Sequence, residues 1–530
     1  MIQYIIEDLD YKTDAKKFDL TIERINQTGF LKYILFLYLL IGNIIKKSSL
    51  LYKIYQKTIL YKFLAGIIIL VFESNTEFDK LIENNKSPEI LDSKIYDTIV
   101  VGSGPGGSIA ALRLTQKNED VLMIESGKAY DPGTIEHHSL AQTNLQFYKQ
   151  GMNFCYGNVP MLFAEGSTYG GGSEVNSGLY FKLTEPYKSV FLQKANITPN
   201  EWDEVEKKVE DLISVQQAPL GSFENLKSAL VEGSNNLGLI CEEIPRWRQY
   251  EPIVEHKSMQ VSYLKQAEDR GLTVLTNTEV IKIDLDKNLI NIFAKKGGKT
   301  INLRSKKIVL SAGTVGTPKI LKNSGLINSK IKFNFHPMTR CVVDYGEEVN
   351  DGDLFPPFQS WTRDYKFKFG YSVSTYPYVK ATLASLGEFA NVSKPSHLVS
   401  YFSSTVLDSS NGRLMSFNGN LIPFIYLSKN DRKKIKEGFE ILKKLLSSTA
   451  VTNVWPKTGI SPMTTVHVFG SLPIGNNSDI GLNGELLKDS RVKICDASIL
   501  PTAPWGNPQA VMMVLNEILL DRWILSFKIE

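Results

Sequence analysis

Cysteine is scarce in this chain of 530 residues, and the few cysteines present are scattered. The four residues, Cys155, Cys241, Cys341 and Cys495, form no CxxC pair. This spacing excludes a disulfide framework, a zinc ribbon and a dithiol redox site. Four unpaired thiols also favour a reducing compartment.

Histidine is scarce too, with six residues in the whole chain. Only the adjacent pair His137 and His138 lies close in sequence. Adjacent side chains point apart on a helix or a strand, so these two do not form a ligand pair. We therefore predict no metal site.

The chain has no large excess of charge. A net charge of +4 at pH 7 does not indicate nucleic-acid binding, so no nucleic-acid partner is expected. The basic residues are unevenly placed, however, because residues 25–72 contain six lysines and no acidic residue. The first 28 residues lack the basic start, apolar core and cleavage site of a signal peptide.

Apolar runs long enough to cross a bilayer are absent. The runs "FLKYILFLYLLIGNII" (30–45) and "ILYKFLAGIIILVF" (59–72) each contain a lysine. A 16-residue helix spans roughly 24 Å, less than a hydrocarbon core of about 30 Å. Two interpretations remain open. Residues 30–72 form a membrane-surface anchor on the cytoplasmic side, or they form a helical pair buried against the body of the protein.

A dinucleotide fingerprint is present at residues 96–114, "YDTIVVGSGPGGSIAALRL". Gly102 permits a tight turn, Gly104 lets a pyrophosphate approach the backbone, and Gly107 lets the helix pack on the strand. A helix N-terminus then offers N–H groups to phosphate. Glu125 ends the next strand-like run, 18 residues after Gly107, where its carboxylate can accept from ribose hydroxyls.

Two further segments look like turns at the same nucleotide, but the fingerprint alone does not separate NAD from FAD. The segment "GSTYGGGSEVNSGLYFK" (166–182) carries more glycines than a helix start needs, and "SAGTVGTPKILKNSGL" (311–326) follows a strand-like run. No second GxGxxG follows the first. A flavin reductase that also binds NAD(P) is therefore disfavoured.

Four ordered motifs make residues 96–530 resemble the glucose–methanol–choline (GMC) oxidoreductases, a family of FAD enzymes. The fingerprint with Glu125 is similar to the FAD-binding start of that family, and "YGGGSEVNSG" resembles its first internal signature. "GTVGTPKILKNSGL" matches the second signature except at its end, where Ile327 replaces a glycine. "VHVFGSLPIG" and "VKICDASILPTAPWGNPQAVMMVLNEI" resemble the C-terminal block.

The resemblance implies the following cofactor contacts. The ADP half of FAD would be bound by Gly102, Gly104, Gly107 and Glu125, with the backbone of Val280 at adenine. The flavin would lie by Gly171, Gly172, Ser173 and Asn176, with Asp496 on the ribityl chain. The helix that begins at Asn507 and Pro508 would face the isoalloxazine ring. Val175 stands where some members attach FAD through a histidine, so the resemblance implies non-covalent FAD.

The active-site pair implied by the resemblance is His467 and Asn507. This combination resembles sterol and choline oxidases more than sugar oxidases, and His467 stands where the family's photodecarboxylases have a cysteine. Histidine suits the task of accepting a hydroxyl proton because its ordinary pKa is about 6.5. Asn507 would bind the substrate oxygen, although an asparagine before a proline also caps helices. We interpret His336 as a packing residue.

The expected fold is therefore α/β. A Rossmann-like FAD-binding domain is joined to an α+β substrate domain on an antiparallel sheet, because residues 340–430 are rich in short strand-like runs. The predicted segments are a helical extension and linker (1–94), FAD-binding parts 1 and 2 (95–185 and 251–335), a cap segment (186–250), the substrate-binding domain (336–460) and a C-terminal active-site segment (461–530).

The expected function is FAD-dependent oxidation of an alcohol, with the hydride passing to flavin N5. Alternatives are a lyase of the same family, which would leave the flavin spectrum unchanged, and an anchored flavoprotein with an inactive site. The partners expected are a small-molecule alcohol and an electron acceptor whose identity (oxygen, quinone or protein) stays open. The apolar N-terminal runs make a lipophilic alcohol plausible.

Overall fold

The structure, a computed structural model, describes residues 1–28, 31–46, 48–76, 81, 83–88, 94–159, 161–219, 222, 224–328, 330–350, 357–388 and 394–527. The helices are α1 (Ile2–Asp8), α2 (Ala15–Gln27), α3 (Leu31–Ile45), α4 (Ser49–Gln56), α5 (Ile59–Glu73), α6 (Pro105–Thr115), α7 (Leu140–Gln146), α8 (Tyr187–Ala195), α9 (Pro199–Leu212), α10 (Glu224–Leu237), α11 (Tyr263–Glu268), α12 (Gly313–Asn323), α13 (Tyr376–Leu386), α14 (Lys429–Ser447) and α15 (Pro508–Ser526).

The strands of the first half of the chain are β1 (Ile95–Val101), β2 (Val121–Ile124), β3 (Asn153–Gly157), β4 (Met161–Phe163), β5 (Val215–Gln216), β6 (Ile240–Glu243), β7 (Arg246–Gln249), β8 (Glu255–His256), β9 (Thr273–Leu275), β10 (Thr278–Leu285), β11 (Ile290–Lys296) and β12 (Lys299–Leu310). Those of the second half are β13 (Lys332–Phe335), β14 (Met338–Asp344), β15 (Phe358–Trp361), β16 (Phe367–Tyr371), β17 (Leu398–Thr405), β18 (Gly412–Phe417), β19 (Asn420–Ile425), β20 (Asn453–Trp455), β21 (Met463–Thr465), β22 (Val468–Phe469), β23 (Glu485–Leu486) and β24 (Asp489–Ile494).

The nucleotide-binding sheet has a parallel centre in the order β9-β2-β1-β12-β24. The last four residues of β1 are all buried, as expected for a strand covered on both faces. Val101 pairs with Ile124 on one side and with Leu310 on the other, and Leu310 pairs with Ile494. The carboxyl ends of these strands therefore align at one edge, where ligands of open α/β sheets bind.

A second, larger sheet confirms the antiparallel sheet expected for residues 340–430. Its order runs β22-β13-β18-β19-β3-β4-β21-β14-β17-β16-β15-β6. Most neighbours are antiparallel, whereas the β19–β3 and β21–β4 pairs are parallel. The amphipathic α14 packs its buried face, which includes Phe439 and Leu442, against β17. The α/β fold with a second antiparallel sheet is as predicted, and the segment boundaries stay predictions.

The helical N-terminal extension is confirmed, and its two apolar runs differ in environment. The second run forms α5, which is buried almost throughout and packs on α13. The first run forms α3, which buries Leu35 and Leu39 and exposes most of its other apolar side chains. Among the described residues, no single helix is long and apolar enough to cross a membrane, and α4 with α5 passes that test only as a pair bent by 71°.

Candidate cofactor site and active site

The fingerprint turn after β1 is built by close backbone packing. Gly102 has φ +94°, a left-handed conformation that favours glycine. A Cβ on Gly102 would overlap the carbonyl oxygen of Ser311, and one on Gly107 would overlap that of Gly102. Gly106, which the motif leaves undefined, is equally constrained, because a Cβ there would overlap the carbonyl oxygen of Cys495. The turn thus brings the ends of β1, β12 and β24 together.

Two glycines of the site face open space instead of protein. A Cβ on Gly104 would come no closer than 4.0 Å to another protein atom, and one on Gly172 would have none within 4 Å. Between them, Gly171 at φ +60° would place a Cβ 2.5 Å from the Cα of Gly104. The loop at 166–182 therefore meets the fingerprint backbone to backbone and leaves a groove beside both loops.

The N-terminus of α6 opens at this groove. Gly104 is its N-cap and provides no side-chain hydrogen bond. The first N–H groups of the helix are consequently available to phosphate oxygens, and the helix dipole favours an anion there. These features fit the pyrophosphate of FAD, because both open glycines lie where a side chain would obstruct it.

Glu125 lies where the motif predicts, at the end of β2. Its carboxylate accepts from the backbone N–H of Ser103 at 2.9 Å and from that of Gly127 at 2.7 Å. The hydroxyls of Ser103 and Ser126 also donate to it. Hydroxyls rotate freely, so ribose hydroxyls could replace them on this carboxylate. The ribose contact itself stays a prediction.

Asp496 connects the C-terminal block to α12. Its carboxylate accepts from the N–H of Gly313 at 2.9 Å, from the hydroxyl of Thr317 at 2.5 Å, and from the N–H and hydroxyl of Ser498 at 2.8 and 2.5 Å. Burial raises the pKa of Asp496, and these donors oppose that shift. All four acceptor positions of the side chain are occupied by protein. The predicted ribityl contact therefore remains a prediction.

The residues expected at the flavin are held by their own loop. The hydroxyl of Ser173 donates to the carbonyl of Gly170 and accepts from the N–H of Met259. Asn176 donates through Nδ2 to Gln509 of α15 at 2.7 Å. The structure thus brings the 166–182 loop to the start of α15, as the predicted site requires. Val280 is buried in β10, and its adenine contact stays a prediction.

His467 lies beside a second histidine, His336. His336 directly follows β13, and His467 directly precedes β22. These two strands pair, and the N–H of His336 donates to the carbonyl of His467 at 3.3 Å. Their Nδ1 atoms are 3.2 Å apart, and the rings are 89° from parallel. A hydrogen bond between two ring nitrogens requires one proton, so the pair shares a single N–H. The sequence predicts only a packing role for His336 and gives no sign of its contact with His467.

The tautomers of the pair follow from the buried face of His336. Its Nε2 is buried without a hydrogen-bond partner among the described residues, and the backbone of Pro504 raises the pKa of the ring by acting as a hydrogen-bond acceptor. A carbonyl only accepts and Nδ1 is engaged with His467, so we infer that Nε2 of His336 carries the proton and that its Nδ1 is an acceptor. His467 then donates through Nδ1, which leaves its Nε2 unprotonated.

Burial keeps both rings neutral. It lowers the pKa of His336 to about 3 and that of His467 well below its ordinary value. The charge of Lys368 lowers the pKa of both histidines further, and the neighbouring His336 contributes to the shift of His467. A neutral imidazole with a free Nε2 is the form that can accept a proton.

Asn507 is the N-cap of α15, with Pro508 at the first position of the helix. Its Oδ1 accepts from Nζ of Lys368 at 2.9 Å. Lys368 lies in β16, is buried, and places its Nζ 4.3 Å from the ring centre of Phe181 and 5.9 Å from those of Phe402 and Trp505. Sequence analysis missed Lys368. The available signal was a lysine inside the otherwise apolar strand "FKFGY".

A further carboxylate that sequence analysis missed lies near α12. Burial raises the pKa of Glu165 to about 7, and the charge of Asp496 raises it further. A Cβ on Gly313 would lie 2.8 Å from Oε1 of Glu165. Glu165 therefore faces the N-terminal turn of α12, beside the residues that hold Asp496.

Among the described residues, no three side chains of histidine, cysteine, aspartate or glutamate are grouped as metal ligands would be.

Comparison with known proteins gives one consistent family. A family model described as GMC oxidoreductase matches residues 96–339. An uncharacterized GMC-type oxidoreductase of Sinorhizobium fredii is 23% identical over 482 residues, 79% of this chain and 92% of that protein. A long-chain-alcohol oxidase of Arabidopsis thaliana is 24% identical over 510 residues, 79% of this chain and 66% of that protein.

The fold agrees with these sequence matches. A structure of formate oxidase from Aspergillus oryzae RIB40, which addresses modification of its FAD, superposes with a TM-score of 0.67 at 13% identity. It covers 83% of this chain and 100% of that one. With the open groove at Gly104 and Gly172 and the resemblance carried by the four motifs, these matches assign the cofactor as FAD. Residues 96–339 thus match the GMC oxidoreductase family, and the protein is an FAD-dependent oxidoreductase.

Proposed function

We propose that this protein oxidises the CH–OH group of an alcohol, with His467 accepting the hydroxyl proton and Asn507 binding the substrate oxygen. The observation that carries the proposal is the 3.2 Å contact between Nδ1 of His467 and Nδ1 of His336. We infer from it that His467 donates through Nδ1, which keeps its Nε2 unprotonated. Oxidation of an alcohol releases one proton from oxygen and one hydride from carbon. Bound FAD supplies the acceptor for the hydride, so the protein has to manage the proton.

His467 is suited to that step by its protonation state. Its lowered pKa means that the ring enters the reaction neutral across the physiological pH range. Its partner His336 fixes the ring orientation through the Nδ1–Nδ1 hydrogen bond. The proton taken from the hydroxyl would reside on Nε2 of His467. Because burial disfavours the charged ring, it also favours later release of this proton from His467.

Asn507 is suited to hold the substrate oxygen. Its Oδ1 already accepts from Lys368, so the amide presents its Nδ2–H donors to other groups. A donor of this kind stabilises negative charge that develops on oxygen as the proton leaves. We propose further that FAD is held without a covalent bond, because Val175 provides no nucleophile.

We propose a lipophilic alcohol as the substrate class. Support comes from the long-chain-alcohol oxidase named among the relatives, although this chain spans only about two thirds of that protein's length. The exposed apolar face of the N-terminal helices supports the same class, because substrates of this kind partition into membranes.

We propose that this face contacts the surface of a membrane. It consists of seven exposed side chains of α3 and three of α4: Tyr33, Ile34, Phe36, Leu37, Leu40, Ile41, Ile44, Leu50, Leu51 and Ile54. Lys53 and Lys57 are exposed beside them, and no acidic residue occurs in residues 25–72. An apolar helix face flanked by lysines fits the interface of a bilayer that contains anionic lipids. In this account α5 is a core helix that fastens the face to the body.

Product analysis tests the proposed reaction. The purified FAD-loaded protein is incubated with ethanol, a long-chain primary alcohol, a sterol and choline, each with a dye that accepts electrons. We expect carbonyl product and dye reduction in equal amounts with one alcohol class. Carbonyl product accompanied by hydrogen peroxide in place of reduced dye would identify oxygen as the electron acceptor, and no carbonyl product from any alcohol would contradict the proposed reaction. Acid precipitation of the same sample should release FAD into the supernatant, and FAD retained on the protein would overturn non-covalent binding.

A further inference from the structure

Lys368 is a buried cation without a carboxylate partner among the described residues. Its side chain is 3% exposed, and three aromatic rings surround the ammonium. Within the part of the chain that the structure describes, its one hydrogen bond to a side chain is the donation to Oδ1 of Asn507 at 2.9 Å. Burying an unpaired charge costs stability, and burial lowers the pKa of Lys368 to about 7. A buried lysine that costs stability in this way is a candidate for a role in binding or catalysis.

The hydrogen bond to Asn507 determines the direction of its amide. An ammonium only donates, so it selects Oδ1 as the atom that faces Lys368. The Nδ2–H group must then face the other way. Without Lys368, the amide could turn by 180° and present Oδ1, a repulsive acceptor, to a developing oxyanion.

The position of Lys368 makes this contact a link between the two sheets. Lys368 belongs to β16, which pairs with β15 and β17 in the antiparallel sheet, whereas Asn507 caps α15, which packs on α6 of the nucleotide-binding part. Its charge also acts on His336 and His467. The lysine therefore contacts Asn507 directly and acts on the two histidines through its charge.

We propose that Lys368 is a positioning residue of the active site, which in its protonated form orients the Asn507 amide as a donor and supplies a positive charge beside the reacting oxygen. The proposal rests on the proposed alcohol oxidation. Its two effects have separate readouts. The orientation of Asn507 affects the rate of flavin reduction by alcohol, and the charge affects the midpoint potential of the bound FAD.

A double-mutant cycle tests the orientation. Lys368→Met removes the ammonium and keeps most of the volume, and Asn507→Ala removes the amide. We expect Lys368→Met to slow anaerobic flavin reduction by about tenfold or more, within the range for contacting residues. In the Asn507→Ala background the same change should have a clearly smaller effect, because only the contribution of the charge remains. Equal effects in both backgrounds would overturn the orienting role.

The midpoint potential tests the charge without any alcohol. At pH 6, where Lys368 is mostly protonated, we expect a more negative potential in Lys368→Met, because a nearby positive charge stabilises reduced, anionic flavin. An unchanged potential would overturn the electrostatic role. Lys366→Met is the matched control, because Lys366 is exposed two residues away and pairs with Asp364. If no alcohol reduces the wild-type flavin, the proposed function is wrong. The midpoint potential of the bound FAD still tests whether the charge of Lys368 acts on the flavin.

Discussion

Nδ1 of His336 lies 3.2 Å from Nδ1 of His467, and this contact decides which nitrogen of His467 can act as a base. The Nε2 of His336 is buried and the backbone of Pro504 acts on this ring as an acceptor, from which we infer that the proton between the rings belongs to His467. A histidine whose partner fixes its tautomer is a common arrangement for general bases. Here the partner is a second neutral imidazole in place of a carboxylate.

Separate substitutions of His467 and His336 should show which of them is the base, because they should lower kcat/KM by different amounts. His467→Gln removes the base, and we expect kcat/KM for the alcohol to fall by about 10²–10⁴, the usual contribution of a general base. His336→Gln retains the base but not its preferred tautomer, so a smaller loss is expected. Stopped-flow flavin reduction measures both.

His397→Gln is the control for these variants. His397 lies next to β17 and approaches Asp344 at 4.0 Å, away from the site residues. The activity of His397→Gln should equal that of the wild type. A loss in His336→Gln as large as that in His467→Gln, with normal FAD content, would identify His336 as the base instead.

Gly172→Ala should weaken FAD binding without unfolding the protein. The new Cβ would meet no protein atom within 4 Å, so the free energy of unfolding of the apoprotein should change little. A methyl group in the groove should instead obstruct the cofactor. FAD titration of the apoprotein, followed by flavin fluorescence, measures the Kd.

The matched control is Gly66→Ala in α5, where the Cβ would lie 3.3 Å from the carbonyl oxygen of Ala381. We expect unchanged FAD affinity there. Unchanged affinity in Gly172→Ala would show that the cofactor does not approach this loop.

Lys368→Met should stabilise the protein most at low pH. The folded-state pKa of Lys368 is about 7, below its ordinary value of 10.5, so the unfolded state binds the extra proton between these limits. The stability of the wild type should therefore rise with pH in that window by about 1.4 kcal/mol per unit. Below pH 7 both states are charged, and the full cost of burial is present.

Urea denaturation at pH 6, 7.5 and 9 measures this difference. The advantage of Lys368→Met over the wild type should shrink as the pH rises. Lys366→Met should show no such trend, because that exposed lysine titrates above this range. A constant difference between Lys368→Met and the wild type would mean that Lys368 remains charged throughout.

The apolar face of α3 should bind anionic vesicles. Leu37 and Ile44 are 59% and 72% exposed and lie seven residues apart on one side of the helix. Leu37→Glu with Ile44→Glu should abolish co-sedimentation of the holoprotein with vesicles of phosphatidylcholine and phosphatidylserine. Binding of the wild type should weaken with salt, because the lysine contribution is screened.

Val190→Glu with Leu487→Glu is the control for added charge. These two side chains are exposed outside the N-terminal helices, so vesicle binding should persist. Equal loss in both double variants would indicate nonspecific repulsion, and absence of wild-type binding would contradict the membrane contact.

The sequence allowed the prediction of features that depend on local spacing. The fingerprint, Glu125 and the block around Asp496 are each short motifs next to a strand, and the register of β1, β2, β12 and β24 brings them to one edge. The antiparallel sheet and α14 followed from periodicity. Segment boundaries were harder, because β3 and β4 join the second sheet although they lie between FAD-binding motifs.

Contacts between distant segments could not be read from periodicity. Lys368 meets Asn507 across 139 positions, and His336 meets His467 across 131. Nothing local to either residue indicates the partner. The two apolar runs were likewise indistinguishable by composition, and only the packing of α5 on α13 separates a core helix from an exposed one.

Visible absorbance of the FAD-loaded protein, recorded anaerobically as a long-chain primary alcohol is added, decides whether this protein oxidises alcohols. We expect the flavin band to bleach, to bleach more slowly when the carbinol carbon carries deuterium, and to bleach very little in His467→Gln. A flavin band that no alcohol of any class bleaches would rule out the proposed oxidation.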